Sequence, residues 1–320
     1  NRAPGWGRRR GGRRRRARER TAMAEGRVLV RDDGGLRVLT LSRPGRYNGM
    51  DSPMLEQLAD AVRLAVRNAT VRCLLITGDG DAFSAGGDPR EMTGPDRFHV
   101  LDRWTQISTE VAGWIFRAEK PVVAAVDGVA IGAGFALAIT CDVVLASQRA
   151  SFGPVFVQRG ILPDHGALWF LPRLIGLQAA KELVFSGRRV EAAEALELGL
   201  VTRVLPVDGF AEAARVYAGE LASGPTRALG LAKLIMNKGL ETDLWTVQAF
   251  ERIAQPTLFA SDDFAEGFAA FLEGREPQFT GSSAIATPNG PSGVGRPGPR
   301  RRDRGAGSAK GGTSSETTDG

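Results

Sequence analysis

The sequence is poor in the residues that carry metal and redox chemistry. It holds two cysteines, Cys73 and Cys141, and two histidines, His99 and His165, in 320 residues. Two histidines are too few for a histidine-based metal site, so no metal is expected. Both cysteines sit in apolar stretches, which points to buried thiols in a reducing, cytoplasmic setting rather than to a disulfide scaffold. No apolar run approaches the roughly 18–20 residues of a membrane span. Nucleotide fingerprints are missing too. There is no glycine loop ending in Gly-Lys-Ser/Thr, and no G-x-G-x-x-G follows the first strand. No internal repeat stands out.

Charge is present but unevenly placed. The formal net charge is +6, yet residues 1–22 hold ten arginines and one glutamate, and residues 281–320 hold six basic residues against three acids. Residues 23–280 therefore carry a net −6, and the basicity belongs to the ends. Residues 1–22 have almost no apolar content and are expected to be a disordered arginine-rich tail. An arginine run can bind nucleic acid. Because Met23 stands just before the first segment with a folding pattern, the tail is read instead as an upstream extension without a dedicated role. Residues 281–320, rich in glycine, serine, proline and arginine, form a second expected tail.

Between the tails the pattern alternates. Strands are expected at 27–31, 36–42 and 73–77, and again at 121–126 and 200–205. Ser52-Pro53 reads as an N-cap followed by proline at the first helical position. Leu55, Leu58, Ala59, Val62, Ala65 and Val66 then recur at helical spacing, giving an amphipathic helix over 53–67. Further helices are expected over 94–118, 165–175, 178–185 and 191–198. From 208 to 273 the pattern is almost continuously helical, with breaks at Gly224-Pro225 and Gly239. The fold class is thus α/β: a core of strand–strand–helix turns over 23–205 and a helical region over 206–280.

The chain is organised around residues 121–164. Val122 to Val126 shows no two-residue alternation, as expected for a strand covered on both faces. It leads into Gly128, Gly132 and Gly134, where the backbone can turn sharply and approach a ligand closely. A helix beginning there aims free N–H groups and a positive dipole end at the occupant of the turn. A second glycine-rich turn, Phe83–Gly87, follows the strand 73–77. Each turn alone could be merely tight. Together they can supply two backbone N–H groups, one per turn, to a single carbonyl oxygen, an arrangement that stabilises an enolate or a tetrahedral oxyanion.

The motifs FSAGGD (83–88), VDGVAIGAGFALAITCDVVLAS (126–147), SFGPVFVQRGILPDHG (151–166) and SGRRVEAAEALELGLVTRVLP (186–206) resemble those of the crotonase superfamily, the enoyl-CoA hydratase/isomerase family. LSRPGRYNGMD (41–51) and FAEGFAAFLEGREPQF (264–279) match the family's ends, and the resemblance covers about 27–280. It implies a crotonase-type spiral of strand–strand–helix units with a helical C-terminal region, assembled as homotrimers or dimers of trimers. It implies an acyl-CoA thioester substrate, with coenzyme A entering as part of that substrate and no separate cofactor. No nucleic-acid or membrane partner is implied.

By the same resemblance the thioester carbonyl lies between the N–H groups of Ala85 and Ala133. Arg46, Ser84, Gly86, Gly87, Asp88, Gly132, Gly134 and Phe156 line the substrate site. The family's hydratases position water with two glutamates, and the matching positions here are Ala136 and Phe156, neither of which can exchange a proton. The acid left in this neighbourhood is Asp164, at a position that looks like one carrying a working aspartate in other branches of the family. Desolvation beside Phe156, Ile161, Leu162 and Trp169 is expected to raise its pKa and make it a better base. The structural alternative is that Asp164 caps a helix starting at His165. Asp88 reads as a cap, Arg46 as a contact to the coenzyme A phosphates or an exposed arginine, and His165 as an exposed residue or one that orients Asp164. Three functions follow: an isomerase working through one carboxylate, a hydratase with an atypical site, or a non-catalytic acyl-CoA binder or scaffold.

Overall fold

Strands β1 (Arg27–Asp33) and β2 (Leu36–Ser42) form an antiparallel hairpin closed by Gly34-Gly35. The structure is a computed structural model in which residues 25–281 are described, so both expected tails, apart from Gly281, lie outside the described residues. After the hairpin come α1 (Ser52–Arg67), β3 (Cys73–Gly78), β4 (Ala82–Ser84) and α2 (Arg97–Phe116). The next turn is β5 (Val122–Val126), β6 (Val129–Ile131) and α3 (Ala133–Thr140). A further turn adds β7 (Val143–Ser147) and β8 (Ser151–Gly153), then α4 (Ala167–Ile175) and α5 (Leu177–Ser186). β9 (Val190–Glu191), α6 (Ala192–Leu198) and β10 (Arg203–Leu205) close the strand-bearing part. Helices α7 (Phe210–Ser223), α8 (Thr226–Gly239), α9 (Leu244–Phe259) and α10 (Asp262–Glu273) follow.

Each of the three middle turns gives one strand to each of two sheets. The larger sheet has the order β1-β2-β3-β5-β7-β10, parallel from β2 onward, and the smaller has the order β4-β6-β8-β9. This is the strand–strand–helix spiral that the motif order implied, with crossovers supplied by the helices.

The missing alternation in β5 has a direct cause. Val122, Ala124 and Val126 join the main core with Leu74, Ile76 and the inner faces of α1, α2 and α3. Val123 and Ala125 face the other side, where α7 lays Phe210, Ala214, Ala218 and Ala222 at four-residue spacing against Leu75 and Leu145. Both faces of β5 are buried, so neither has a polar residue. The first helix of the 206–280 region is therefore built into the core. Lys233 ties α8 down as well, through an ion pair with Asp142 (2.7 Å) and a bond to the Ile115 carbonyl (2.7 Å).

Several expectations move by a few residues. The cap of α1 is Asp51, whose side chain accepts from the Met54 N–H at 3.1 Å, while Ser52 lies inside the helix and bonds Glu91. The strand expected at 200–205 is only Arg203–Leu205, because Leu200 N–H still closes the end of α6 on the Ala195 carbonyl. The helical region has a further break at Ala260-Ser261, where Ser261 caps α10. The stretch 128–134, expected as one turn, contains β6; a three-residue strand is too short to show a period.

Gly128 is fixed by geometry. Its φ is +69°, and a β-carbon there would overlap the Asp81 carbonyl oxygen. Replacing Gly128 by Ala should lower stability by about 3 kcal/mol or more, read from the midpoint of urea unfolding. An unchanged midpoint would refute the close approach of β4 and β6 described here.

Candidate active site

The turn after β4 is woven into the loop before α1. Asn48, fully buried, donates through Nδ2 to the carbonyls of Asp79 (2.9 Å) and Ala82 (2.7 Å), and its Oδ1 accepts from the Arg43 N–H (2.8 Å). Tyr47 and Asn48 both have positive φ, so the chain reverses there and turns the Tyr47 carbonyl toward the turn. The Ala85 N–H donates to that carbonyl at 2.8 Å. The Gly86 N–H donates to Ser84 Oγ at 3.2 Å, and Ser84 Oγ donates to the Asn48 carbonyl at 2.8 Å. Met50 bonds on either side of Gly87, donating to the Gly86 carbonyl (2.7 Å) and accepting from the Asp88 N–H (2.8 Å).

One N–H in this turn is left over. That of Gly87 points away from Met50 and has no partner among the described residues. This corrects the assignment of Ala85: its donor is committed to Tyr47, and Gly87 holds the available one. The reason is the bridge with Met50, which fixes the peptide directions at 86, 87 and 88 and could not be read from the spacing of FSAGGD.

The second turn packs directly on the first. A β-carbon on Gly86 would lie 2.7 Å from the Ile131 carbonyl oxygen and 3.1 Å from the Ala133 nitrogen, so backbone meets backbone. Gly134 is equally constrained, since a β-carbon there would overlap the Ser84 carbonyl oxygen. The Gly132 N–H is bonded to the Gly153 carbonyl at 2.9 Å, whereas Ala133, as the first residue of α3, has a free N–H with no partner among the described residues. Two unpaired donors, Gly87 and Ala133, are thereby brought to adjacent backbone segments.

Two aspartates near the turns are set to opposite states. Asp88 is buried and paired with Arg90 (2.5 Å) and Arg43 (3.0 Å), and Arg43 also reaches Asp51 (3.1 Å). The Arg90 and Arg43 guanidinium groups hold the Asp88 carboxyl well below the usual carboxylate range. Its acceptors are occupied, so Asp88 braces the turn, and the expectation that it meets substrate is not supported. Arg43, which sequence reading passed over, is the hub of this network. Arg46 is exposed at the loop surface, where a contact to an anionic ligand is sterically open.

Asp164 is the reverse case. Its Oδ1 is buried with no hydrogen-bond partner among the described residues, and burial pushes the carboxyl up to about 6. α4 begins at Ala167 and has no side-chain cap; only the Asp164 carbonyl serves it, accepting from the Ala167 N–H at 2.9 Å. The carboxylate is therefore not a cap. His165, expected to be exposed, is 1 % exposed, and burial pushes its imidazole down to about 3, leaving it neutral. Its ring lies edge-on to Trp104 at 5.5 Å, and its carbonyl is 3.2 Å from Thr140 Oγ1, which also bonds the Ala136 carbonyl at 2.8 Å. Trp104 lines Gly87 too: its Cζ2 would be 3.5 Å from a β-carbon there. Trp104 and α3 thus connect Gly87 and Ala133 to the 164–165 corner. Ala136 and Phe156 are buried in the main apolar core and contribute no polar side-chain group.

Known proteins resemble this chain over most of its length. The sequence model of the family described as enoyl-CoA hydratase/isomerase matches residues 31–282. The 1,2-epoxyphenylacetyl-CoA isomerase of Escherichia coli (strain K12) is 37% identical over 260 residues, covering 79% of this chain and 98% of that protein. A probable enoyl-CoA hydratase, echA8, of Mycobacterium tuberculosis is 35% identical over 253 residues, covering 79% and 97%. Among solved structures, the enoyl-CoA hydratase from Bacillus anthracis superposes with a TM-score of 0.76 at 32% identity, covering 80% of this chain and 99% of that one. A putative enoyl-CoA hydratase/isomerase from Mycobacterium abscessus gives 0.77 at 32% identity, covering 80% and 100%.

The state of Asp164 has a measurable consequence. Burial raises its folded pKa above the unfolded value, so the neutral acid is favoured on folding, and wild-type stability falls as pH rises through about 6. Asp164→Asn removes that loss. It should raise Tm at pH 8 by about 3 °C, with the gain shrinking toward zero near pH 4. A gain independent of pH would show that Asp164 is not desolvated in the folded protein.

Proposed function

The chain belongs to the enoyl-CoA hydratase/isomerase family, and from that premise we propose that it is an acyl-CoA isomerase that moves a double bond through a thioester enolate. The observation that carries this reading is the Asp164 carboxyl, whose Oδ1 is buried with no hydrogen-bond partner among the described residues, together with the apolar side chains that stand at 136 and 156. A 1,3-proton transfer needs one base: Asp164 takes the α-proton, the carbonyl oxygen becomes an enolate, and the same carboxyl returns the proton at the γ-carbon. A carboxyl poised at about 6 can both accept and release that proton near neutral pH. The N–H groups of Gly87 and Ala133 hold the enolate oxygen, each donor contributing about 3–4 kcal/mol to the barrier. Arg46, exposed beside the turn, contacts the coenzyme A phosphates in this reading.

Addition of water instead requires a second group to orient it, and the residues at 136 and 156 offer none. Hydration is nonetheless the second reading, favoured by the names of relatives such as the Mycobacterium tuberculosis protein. The name of the Escherichia coli relative supports the isomerase. Self-assembly belongs to the same proposal. α9 and α10 expose Trp245, Phe271 and Leu272, and an apolar groove of about 580 Å³ lies among Phe259, Phe264, Phe268 and Phe279, surfaces suited to a second copy of the chain.

Asp164→Asn should lower kcat for double-bond migration about 100-fold or more while leaving the Kd for the acyl-CoA within about threefold of wild type. Retention of migration in this variant would sink the single-carboxylate mechanism. Ala133→Pro deletes one donor at a helix position where proline is tolerated. It should cost about 100-fold in kcat, measured on the same enoyl-CoA substrate; full activity would exclude Ala133 as an enolate donor.

A further inference from the structure

Three of the four buried, unpartnered side-chain polar atoms among the described residues lie on two consecutive residues: Asp164 Oδ1, His165 Nδ1 and His165 Nε2. The single-carboxylate mechanism uses the first and leaves the imidazole without a task. A buried polar group lacking a hydrogen bond is destabilising, so an idle imidazole here is a net loss to the fold. The backbone adds to that cost. His165 has φ +50° and is followed by Gly166 at +75°, so a β-carbon-bearing residue is held in the left-handed region to turn its ring inward.

The ring shares a neighbour with the first donor turn. Trp104 on α2 packs edge-on against it and also lines Gly87, while Thr140 on α3 holds its carbonyl from the side of Ala136. The imidazole is therefore enclosed in the wall that joins the two donor turns to Asp164. Being neutral, it offers one donor and one acceptor. A hydrocarbon acyl chain would leave both unpaired, whereas a hydroxyl, keto or epoxide oxygen would pair with at least one.

Resting on the reading that an acyl-CoA thioester binds between these turns, we propose that His165 is a specificity-determining residue that hydrogen-bonds an oxygen function on the acyl group. The substrates are then oxygenated acyl-CoA thioesters rather than plain hydrocarbon ones. A site built to bond such an oxygen discriminates against the analogue lacking it, because its own polar atoms are left unpaired.

The test uses the full chain and a matched panel: butanoyl-CoA against 3-hydroxybutanoyl-, 3-oxobutanoyl- and 4-hydroxybutanoyl-CoA, with Kd measured by isothermal titration. At least one oxygenated thioester should bind about tenfold tighter than butanoyl-CoA. His165→Leu should erase that preference while leaving the butanoyl-CoA Kd within about twofold. The chain's two histidines allow a second readout on the wild type that does not depend on the variant folding. In ¹⁵N-imidazole spectra, the His165 ring nitrogens should shift with the preferred thioester and not with butanoyl-CoA, and His99 serves as the control. Equal binding of all four thioesters, or a preference that survives His165→Leu, overturns the proposal, as does an imidazole spectrum indifferent to the oxygenated ligand. Failure of butanoyl-CoA and the others to bind at all would instead strike the acyl-CoA reading on which it rests.

Discussion

The close approach of two backbone segments governs this molecule. The turn after β4 and the turn before α3 touch through main-chain atoms at Gly86, Gly132 and Gly134, and β6 passes so near Asp81 that Gly128 has no room for a β-carbon. Side chains at these positions would push the smaller sheet off its register and separate the Gly87 and Ala133 N–H groups. Backbone donors held this way cannot rotate or choose another partner. They are placed before any ligand arrives, which is the condition for electrostatic preorganisation.

The polar groups around this contact divide into those that are satisfied and those that are not. On one side, hydrogen bonds and ion pairs link Arg43, Asn48, Asp51, Asp88 and Ser84, and their network braces the 43–51 loop. On the other, Asp164 Oδ1 and both ring nitrogens of His165 are buried with no hydrogen-bond partner among the described residues. Charged neighbours lower the Asp88 pKa, and desolvation raises that of Asp164. The two carboxylates are thus pushed apart, one held ionised in the bracket and the other changing its protonation near neutral pH.

The outer parts of the fold follow from covering this centre. α7 buries the far face of the larger sheet, and Lys233 reaches back to Asp142 from α8. α9 buries none of its residues fully, and α9 and α10 together expose Trp245, Phe268, Phe271 and Leu272. The core is complete within one chain, while the C-terminal helices present surface that this chain alone does not cover.

Much of this was legible in the sequence. Both-faced burial of β5 showed as a run without alternation, helices α1 and α2 as four-residue periodicity, and the two turns as glycine clusters following strands. Motif order identified the spiral, and the absence of glutamates at 136 and 156 isolated Asp164. The three-residue strands were not legible, because they are shorter than any period that could reveal them. Nor was the assignment of donors. Sequence spacing names which residues reach a turn, but the direction of each N–H depends on partners from Tyr47 and Met50, about forty residues away. His165 shows the same division. Its identity was plain in the chain, and its burial between Trp104 and Thr140 was decided only when helices from three different turns of the spiral closed around it. Local pattern determined the elements and the inventory of chemical groups; long-range packing decided which of those groups were left without a partner.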